Sequence, residues 1–379
     1  MHVALVSLDE DATAEWAVPA GESLGTPVTG LAGELVARGY DVSIVTMCEP
    51  TGMTLSYEHE SSARLDVLRV GHRESLPNGR LDGLCTSLRA RRPDLIHAFG
   101  AAAGRVAERV ARSLRVPWVW TRRDGAPAQI EGTERFCPAG ADRIIVSTSW
   151  EVDVLARDGV PRDKCDVVPL SIVGDVRGSY LEPSIANRAS RIATVADDTG
   201  EGLADLVRAL PNLPAAHLTV AWQRSRGGTS AALADLRVLG AQFHVADRIS
   251  VLPDATPSRV HDALCRADLV AYTPRRDPSL RVVSAAMACG VPALVTSLGG
   301  TDELVEHGVT GLCIPPGDPR RIASAVRILD DAPEVRSSMS RASRKRAREL
   351  FDQARIADGT LESYAAAGAP VAVAVRGGR

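Results

Sequence analysis

The chain has 379 residues, 45% of them hydrophobic and 24% charged, and carries a formal net charge of −3. Its length exceeds one ordinary domain and points to two. The balance is that of a soluble globular protein and excludes a global attraction to nucleic acid or to a membrane, leaving at most peripheral membrane contact. The first residues turn acidic by Asp9, unlike a secretory leader. No segment approaches the ~18 uninterrupted apolar residues of a membrane span. The seven cysteines are scattered, odd in number and without a Cys-x-x-Cys pair. They read as reduced, mostly buried thiols of a cytoplasmic protein, with neither a disulfide framework nor a zinc site. Lys164 and Lys345 are the only lysines, so every cation between them is arginine or histidine.

In chain order, residues 2–7 form a short apolar run ending in a polar loop. Residues 27–38 show helical periodicity (Val28, Leu31, Leu35, Val36), stopped by Gly39, and 41–46 read as a buried strand. Strands return at 65–70, 94–98, 117–121, 143–147 and 167–168, with helices at 81–91, 104–114 and 150–157 between them. Residues 170–189 lack periodicity and carry Gly, Pro and Ser. A second half follows, with strands at 192–195, 218–222, 249–252, 269–272, 293–295 and 311–314. Its helices fall at 203–210, 231–239, 258–265, 281–288, 302–307 and 320–329, before terminal helices at 335–350 and 353–365. Strands that are apolar throughout and alternate with helices predict parallel sheets covered on both faces. The expected boundaries are an amino-terminal domain over 1–172, a linker over 173–189 and a carboxy-terminal domain over 190–350. Residues 351–379 are expected to form a last helix, packing back towards the first domain, and a frayed tail.

Doubly wound sheets bind ligands at the carboxyl ends of their strands. Two such halves predict a nucleotide-like ligand in a cleft between them. Residues 267–319 carry the chemistry: ADLVAYTPRRDPSLRVVSAAMACGVPALVTSLGGTDELVEHGVTGLCIPPGDP. Ser279 and Leu280 precede a helix start, where unsatisfied N–H groups and the dipole favour an anion. Gly299 and Gly300 precede another, where a missing side chain lets backbone approach a phosphate or sugar, and Glu303 lies in that helix's first turn. Taken alone, these glycines are equally well turns and Glu303 a capping carboxylate.

This segment resembles the donor-binding core of family 4 glycosyltransferases, whose pattern includes E-P-x-G-x-x-x-x-E-A-M-A-x-G-x-P-V, G-G-x-x-E, G-x-T-G and P-P-G-D. Weaker resemblance runs through residues 29–42 (ending LVARGYDV), 94–98 (DLIHA), 141–146 (ADRIIV) and 167–169 (VVP). It implies the GT-B fold, an α/β architecture of two Rossmann-like doubly wound domains facing across a cleft. It also implies retaining transfer of a hexose-type sugar from a nucleoside diphosphate sugar, without a covalent nucleophile, cofactor or metal. The implied partners are the nucleotide-sugar and a small-molecule or lipid-linked acceptor.

The resemblance has departures. Alignment on residues 286–290 (AMACG) puts Asp277 at the first family Glu, Ala285 at the second and Leu280 at the intervening Gly. Asp277 keeps a carboxylate, whereas Ala285 accepts no side-chain hydrogen bond. The Arg and Lys with which the family holds the pyrophosphate are Ala196 and Glu201 here. A charged hydrogen bond is worth roughly 1.5–3 kcal/mol, so losing two weakens donor binding by roughly a hundredfold or more. Arg224, Arg226, Arg275, Arg276 and Arg281 stand as replacement cations or as solvated arginines of an Arg-rich chain.

In the first half, residues 21–25 (GESLG), with Gly25, occupy the place of the family's Gly-Gly loop. His97 ends a buried strand, as a base or as a satisfied core side chain. Arg123 replaces the family His near the transferred sugar, beside Arg122 and Asp124, and the family's Asn-Gly turn after the VVP strand is absent. The implied site is therefore Asp277, His97 and Arg123 for catalysis. Gly25, Arg224, Arg226, Arg276, Ser279, Leu280, Arg281, Gly299, Gly300 and Glu303 are implied for the donor. The alternative is a catalytically inactive relative that serves as partner or stabilising subunit of a homologous glycosyltransferase, favoured by the changes at Ala196, Glu201, Ala285 and Arg123. A nucleotide-sugar epimerase of the same fold has no supporting residue beyond the architecture.

Overall fold

The computed structural model describes residues 1–8, 16–17, 23–24, 27–48, 57–71, 78–122, 138–169, 191–196, 200, 202–223, 231–276 and 279–371. The chain divides into two compact units. One comprises Met1–Glu15, Gly25–Gly174 and Phe351–Arg379, and the other Trp16–Leu24 and Asp175–Leu350.

In the first unit the strands are β1 (His2–Ser7), β4 (Asp41–Cys48), β5 (Tyr57–Ser61), β6 (Leu65–Gly71), β7 (Leu95–Phe99), β8 (Trp118–Thr121), β9 (Arg143–Val146) and β10 (Cys165–Val167). The two-residue strands β2 (Trp16–Ala17) and β3 (Ser23–Leu24) pair with each other in the second unit. The large sheet runs β10-β9-β8-β7-β1-β4-β6-β5, parallel except for the edge strand β5, which pairs antiparallel with β6. The helices are α1 (Pro27–Ala37), α2 (Asn78–Ala90), α3 (Gly100–Leu114), α4 (Ser149–Arg157) and the chain-terminal α12 (Gln353–Ala366).

Alternate residues along each central strand enter different cores. Val3, Leu5, Ile44, Leu95 and Val119 pack with Leu31 and Leu35 of α1 and with Ile356 and Tyr364 of α12. Ala4, Val6, Val45, Ile96 and Trp120 pack with Leu84 and Leu88 of α2 and with Val106 and Val110 of α3. Burial on both faces is why these strands read as unbroken apolar runs.

The second unit contains β11 (Arg191–Ala196), β12 (His217–Trp222), β13 (Ile249–Leu252), β14 (Leu269–Tyr272), β15 (Ala293–Thr296) and β16 (Gly311–Ile314). Its helices are α5 (Leu203–Ala209), α6 (Ala231–Gln242), α7 (Pro257–Cys265), α8 (Leu280–Cys289), α9 (Thr301–Leu304), α10 (Pro319–Asp331) and α11 (Pro333–Leu350). The sheet is wholly parallel in the order β13-β12-β11-β14-β15-β16. That is the doubly wound order 3-2-1-4-5-6, and the direction of winding reverses between β11 and β14. Helices α5, α6 and α10 share a core with the sheet. Arginines close several helix and turn ends: Arg248 donates to the carbonyls of Leu210 and Leu213, and the buried Arg336 donates to that of Leu329.

The cysteine expectation needs correction. Cys265 and Cys289 form a disulfide, 24 residues apart in sequence, because the carboxyl ends of α7 and α8 lie side by side. Among the described residues Cys165 and Cys313 are free thiols, and no described helix is long and apolar enough to cross a membrane.

Candidate active site

At the reversal point between β11 and β14 the loops leaving three strands are pinned together. Gly202, with φ of +75°, caps α5 after β11. A Cβ there would lie 1.9 Å from the carbonyl oxygen of Thr273, so only glycine lets the β11 loop meet the β14 loop. Thr273 Oγ1 donates to the Gly202 carbonyl at 3.4 Å. Thr296 Oγ1, at the end of β15, donates to the Pro274 carbonyl at 2.8 Å. The buried Thr301 donates to the Thr296 carbonyl and accepts from Leu298 N.

The β14 loop is further fixed by a bidentate pair. Arg275 Nε and Nη2 donate to the two carboxylate oxygens of Asp205 at 2.8 and 2.7 Å. Asp205 is 1% exposed in the first turn of α5, so its charge is desolvated and needs this partner. Arg208 stands 3.5 Å away as a second cation. The pair makes Arg275 a clamp between loops, with most of its charge compensated. The partners are 70 residues apart, and sequence reading did not pair them.

Ser279 is the N-cap of α8 without a side-chain capping bond, and its N–H donates to the Tyr272 hydroxyl at 2.8 Å. Leu280 is buried at 5% exposure, Arg281 is half-buried and Arg276 exposed. The first turn of α8 carries no acidic residue. The first turn of this ten-residue helix holds Arg281 and no acid, which favours a bound anion. Gly299 and Gly300 both take left-handed backbone, with φ of +57° and +82°, and Gly300 caps α9. Glu303 is half-buried in α9, and its carbonyl accepts from Arg346 Nη2 at 2.8 Å while the Leu304 carbonyl accepts from Arg346 Nε. Arg346 thus braces α9 from α11, a role that sequence reading did not find. Ala196 and Ala285 are buried apolar side chains, 8% and 3% exposed.

The structure therefore brings Ser279, Leu280, Arg281, Arg276, Gly299, Gly300 and Glu303 to one edge of the second sheet. Asp277, Arg123, Gly25, Arg224 and Arg226 lie outside the described residues.

In the first unit the catalytic expectation for His97 is corrected. His97 is 1% exposed, and its two ring nitrogens are engaged by Tyr364 Oη at 2.8 Å and Thr121 Oγ1 at 2.6 Å. Burial lowers its pKa to about 3 and raises that of Tyr364. A buried neutral ring with both nitrogens engaged, from α12 and from β8, is a core pin. Its place on β7, one face with Leu95 and Phe99, turns it towards α12. Arg122, at the end of β8, is 3.4 Å from the buried Glu151, which also accepts from Ser147 N and sits one turn after the N-cap Thr148.

The two wound sheets define a GT-B-type architecture. Residues 24–171 match the glycosyl transferase 4-like domain and residues 198–346 match glycosyl transferases group 1. The chain belongs to this glycosyltransferase family. It is 28% identical to the D-inositol 3-phosphate glycosyltransferase of Frankia alni, over 93% of this chain and 96% of that protein. The sucrose-phosphate synthase of Thermosynechococcus elongatus superimposes with a TM-score of 0.75 at 20% identity, covering 96% of this chain and 98% of its own. Anabaena Alr3699/HepE, in complex with UDP and glucose, superimposes with a TM-score of 0.72 at 17% identity, covering 96% and 99%.

Proposed function

We propose that this glycosyltransferase moves a hexose-type sugar from a nucleoside diphosphate sugar to a small-molecule or lipid-linked acceptor hydroxyl, with retention at the anomeric carbon. The observation that carries the reading is the convergence of the β11, β14 and β15 loops at the amino end of α8. In this reading the α8 dipole, Arg276 and Arg281 offset the charge that develops on a departing diphosphate. The UDP and glucose bound to a structural neighbour support a donor of this class, and the inositol phosphate glycosyltransferase of Frankia alni supports a polar hydroxyl acceptor.

Transfer by this route needs positioning and charge stabilisation rather than a nucleophile. Helix N–H groups and two guanidinium groups stand in for the pyrophosphate-binding Arg and Lys that Ala196 and Glu201 replace. Gly299 and Gly300 let backbone reach the sugar, and Glu303 accepts from its hydroxyls. Asp277, one residue past Arg276, takes the carboxylate role on the donor, and no metal or cofactor is assigned to the reaction. Arg224 and Arg226, which follow β12, are further phosphate ligands in this scheme.

A nucleotide-sugar panel assayed for hydrolysis and transfer tests the proposal, with the product anomer read by proton NMR. Turnover of at least one donor with retained configuration is expected. A panel with no turnover, together with no thermal stabilisation by millimolar UDP or GDP, would replace the reading with that of a non-catalytic partner subunit.

A further inference from the structure

We propose that His261, Cys265 and Cys289 form a zinc-class metal site in the reduced protein, for which the Cys265–Cys289 disulfide is the alternative, closed state. This inference does not depend on the reading of the donor site. His261 and Cys265 are four residues apart on α7, the spacing that puts two ligands on one helix face. Cys289 enters from the last residue of α8. One imidazole nitrogen, Nδ1, is 3.9 Å from Cys265 Sγ and 3.7 Å from Cys289 Sγ. The three ligand atoms lie within 4.8 Å of one another.

Tetrahedral zinc with Zn–S of ~2.3 Å and Zn–N of ~2.0–2.1 Å needs ligand-to-ligand edges of roughly 3.6–3.8 Å. From the single nitrogen Nδ1 the two edges, 3.9 and 3.7 Å, are already close to that value. Only the two sulfurs must separate, which side-chain rotation supplies across a Cα–Cα distance of 5.0 Å. Two thiolates neutralise the dication, so a site at the 5%-exposed Cys289 buries no net charge. Sulfur donors select zinc over the magnesium and manganese common in nucleotide chemistry. Three protein ligands, with His261 and Cys265 half-buried, leave the fourth position to water.

The steps balance. A phosphine and one water convert the disulfide to two thiols and a phosphine oxide. The ion then displaces one proton from each thiol and takes the neutral imidazole.

Phosphine-reduced protein titrated anaerobically with cobalt(II) tests the site. Expected are one equivalent bound, a thiolate-to-cobalt charge-transfer band with tetrahedral d–d absorption, and zinc displacing both. Cys265→Ser and Cys289→Ser each lose at least half the charge-transfer intensity, His261→Ala weakens cobalt binding at least tenfold, and the oxidised protein shows no band. A reduced wild type whose spectrum equals that of the Cys265→Ser/Cys289→Ser double variant overturns the proposal. Mass spectrometry after maleimide labelling supplies a readout on the wild-type chain alone. Zinc protecting two thiols, mapped to Cys265 and Cys289, supports the site, and unchanged labelling of both sinks it.

Discussion

Replacing Gly202 with alanine separates two effects that glycine removes at once. Alanine at φ of +75° incurs the left-handed penalty, about 1–2 kcal/mol. Its Cβ also meets the Thr273 carbonyl oxygen at 1.9 Å, where an approach under 3.0 Å is not tolerated, so one loop moves by about 1 Å. Such overpacking costs about 1–3 kcal/mol more, for a total of about 2–5 kcal/mol. Gly308 supplies the control: its φ is +79°, and an added Cβ meets nothing within 4 Å. Gly308→Ala should therefore lose only the backbone part, about 1–2 kcal/mol. A 1 Å displacement at a reacting site costs about a hundredfold in rate, so kcat/KM for donor turnover should fall about that much in Gly202→Ala and stay within about twofold in Gly308→Ala. Urea midpoints of the two variants, with steady-state kinetics on each, measure both quantities. Equal losses of stability and of activity would show that the contact between the β11 and β14 loops has no energetic or functional weight.

Three further outcomes follow from the described contacts. Arg275→Met strands the buried Asp205 carboxylate with only the 3.5 Å Arg208 beside it, and should cost about 1–3 kcal/mol, because Arg275 itself is half-exposed. Asp205→Asn in the same background should recover part of that loss, a coupling that a double-mutant cycle in urea reads directly. Tyr364→Phe removes a partner of a buried imidazole and should cost about 1–3 kcal/mol in urea while leaving the pH–rate profile in place. His97 also sets a pH dependence. Its pKa falls from 6.5 in the unfolded chain to about 3 in the fold, so the unfolded state binds the extra proton. Stability should be insensitive to this group above pH 6.5 and fall by about 1.4 kcal/mol per unit between there and about pH 3. His97→Gln should flatten that part of the slope, and an unchanged slope would assign the acid lability elsewhere.

Most strands were legible because each is buried on both faces, so hydrophobicity alone marked it. The exceptions are the two-residue β2 and β3, too short to carry a pattern, and β5, Tyr57–Ser61, whose sequence YEHES carries no apolar run and whose place is an antiparallel edge. Residues 267–319 were legible as a contiguous family pattern, and the strand order puts their first strand, β14, at the reversal point of the sheet. What the sequence hid is long-range. Asp205 finds Arg275, Arg346 finds the end of α9, and Cys265 finds Cys289 only after the helices are stacked. His97 was legible as a residue but ambiguous as chemistry. Its role was decided by Tyr364, 267 positions away, whose hydroxyl fills the second nitrogen.

The claim on which the functional account rests is that a diphosphate is held at the amino end of α8. Calorimetric titration of UDP and GDP into wild type and into an Arg276→Ala/Arg281→Ala variant measures it. The account predicts saturable binding of at least one nucleotide, weakened by about a hundredfold or more in the variant, as two charged hydrogen bonds of roughly 1.5–3 kcal/mol require. Equal affinity in the two proteins would place the nucleotide elsewhere and contradict it.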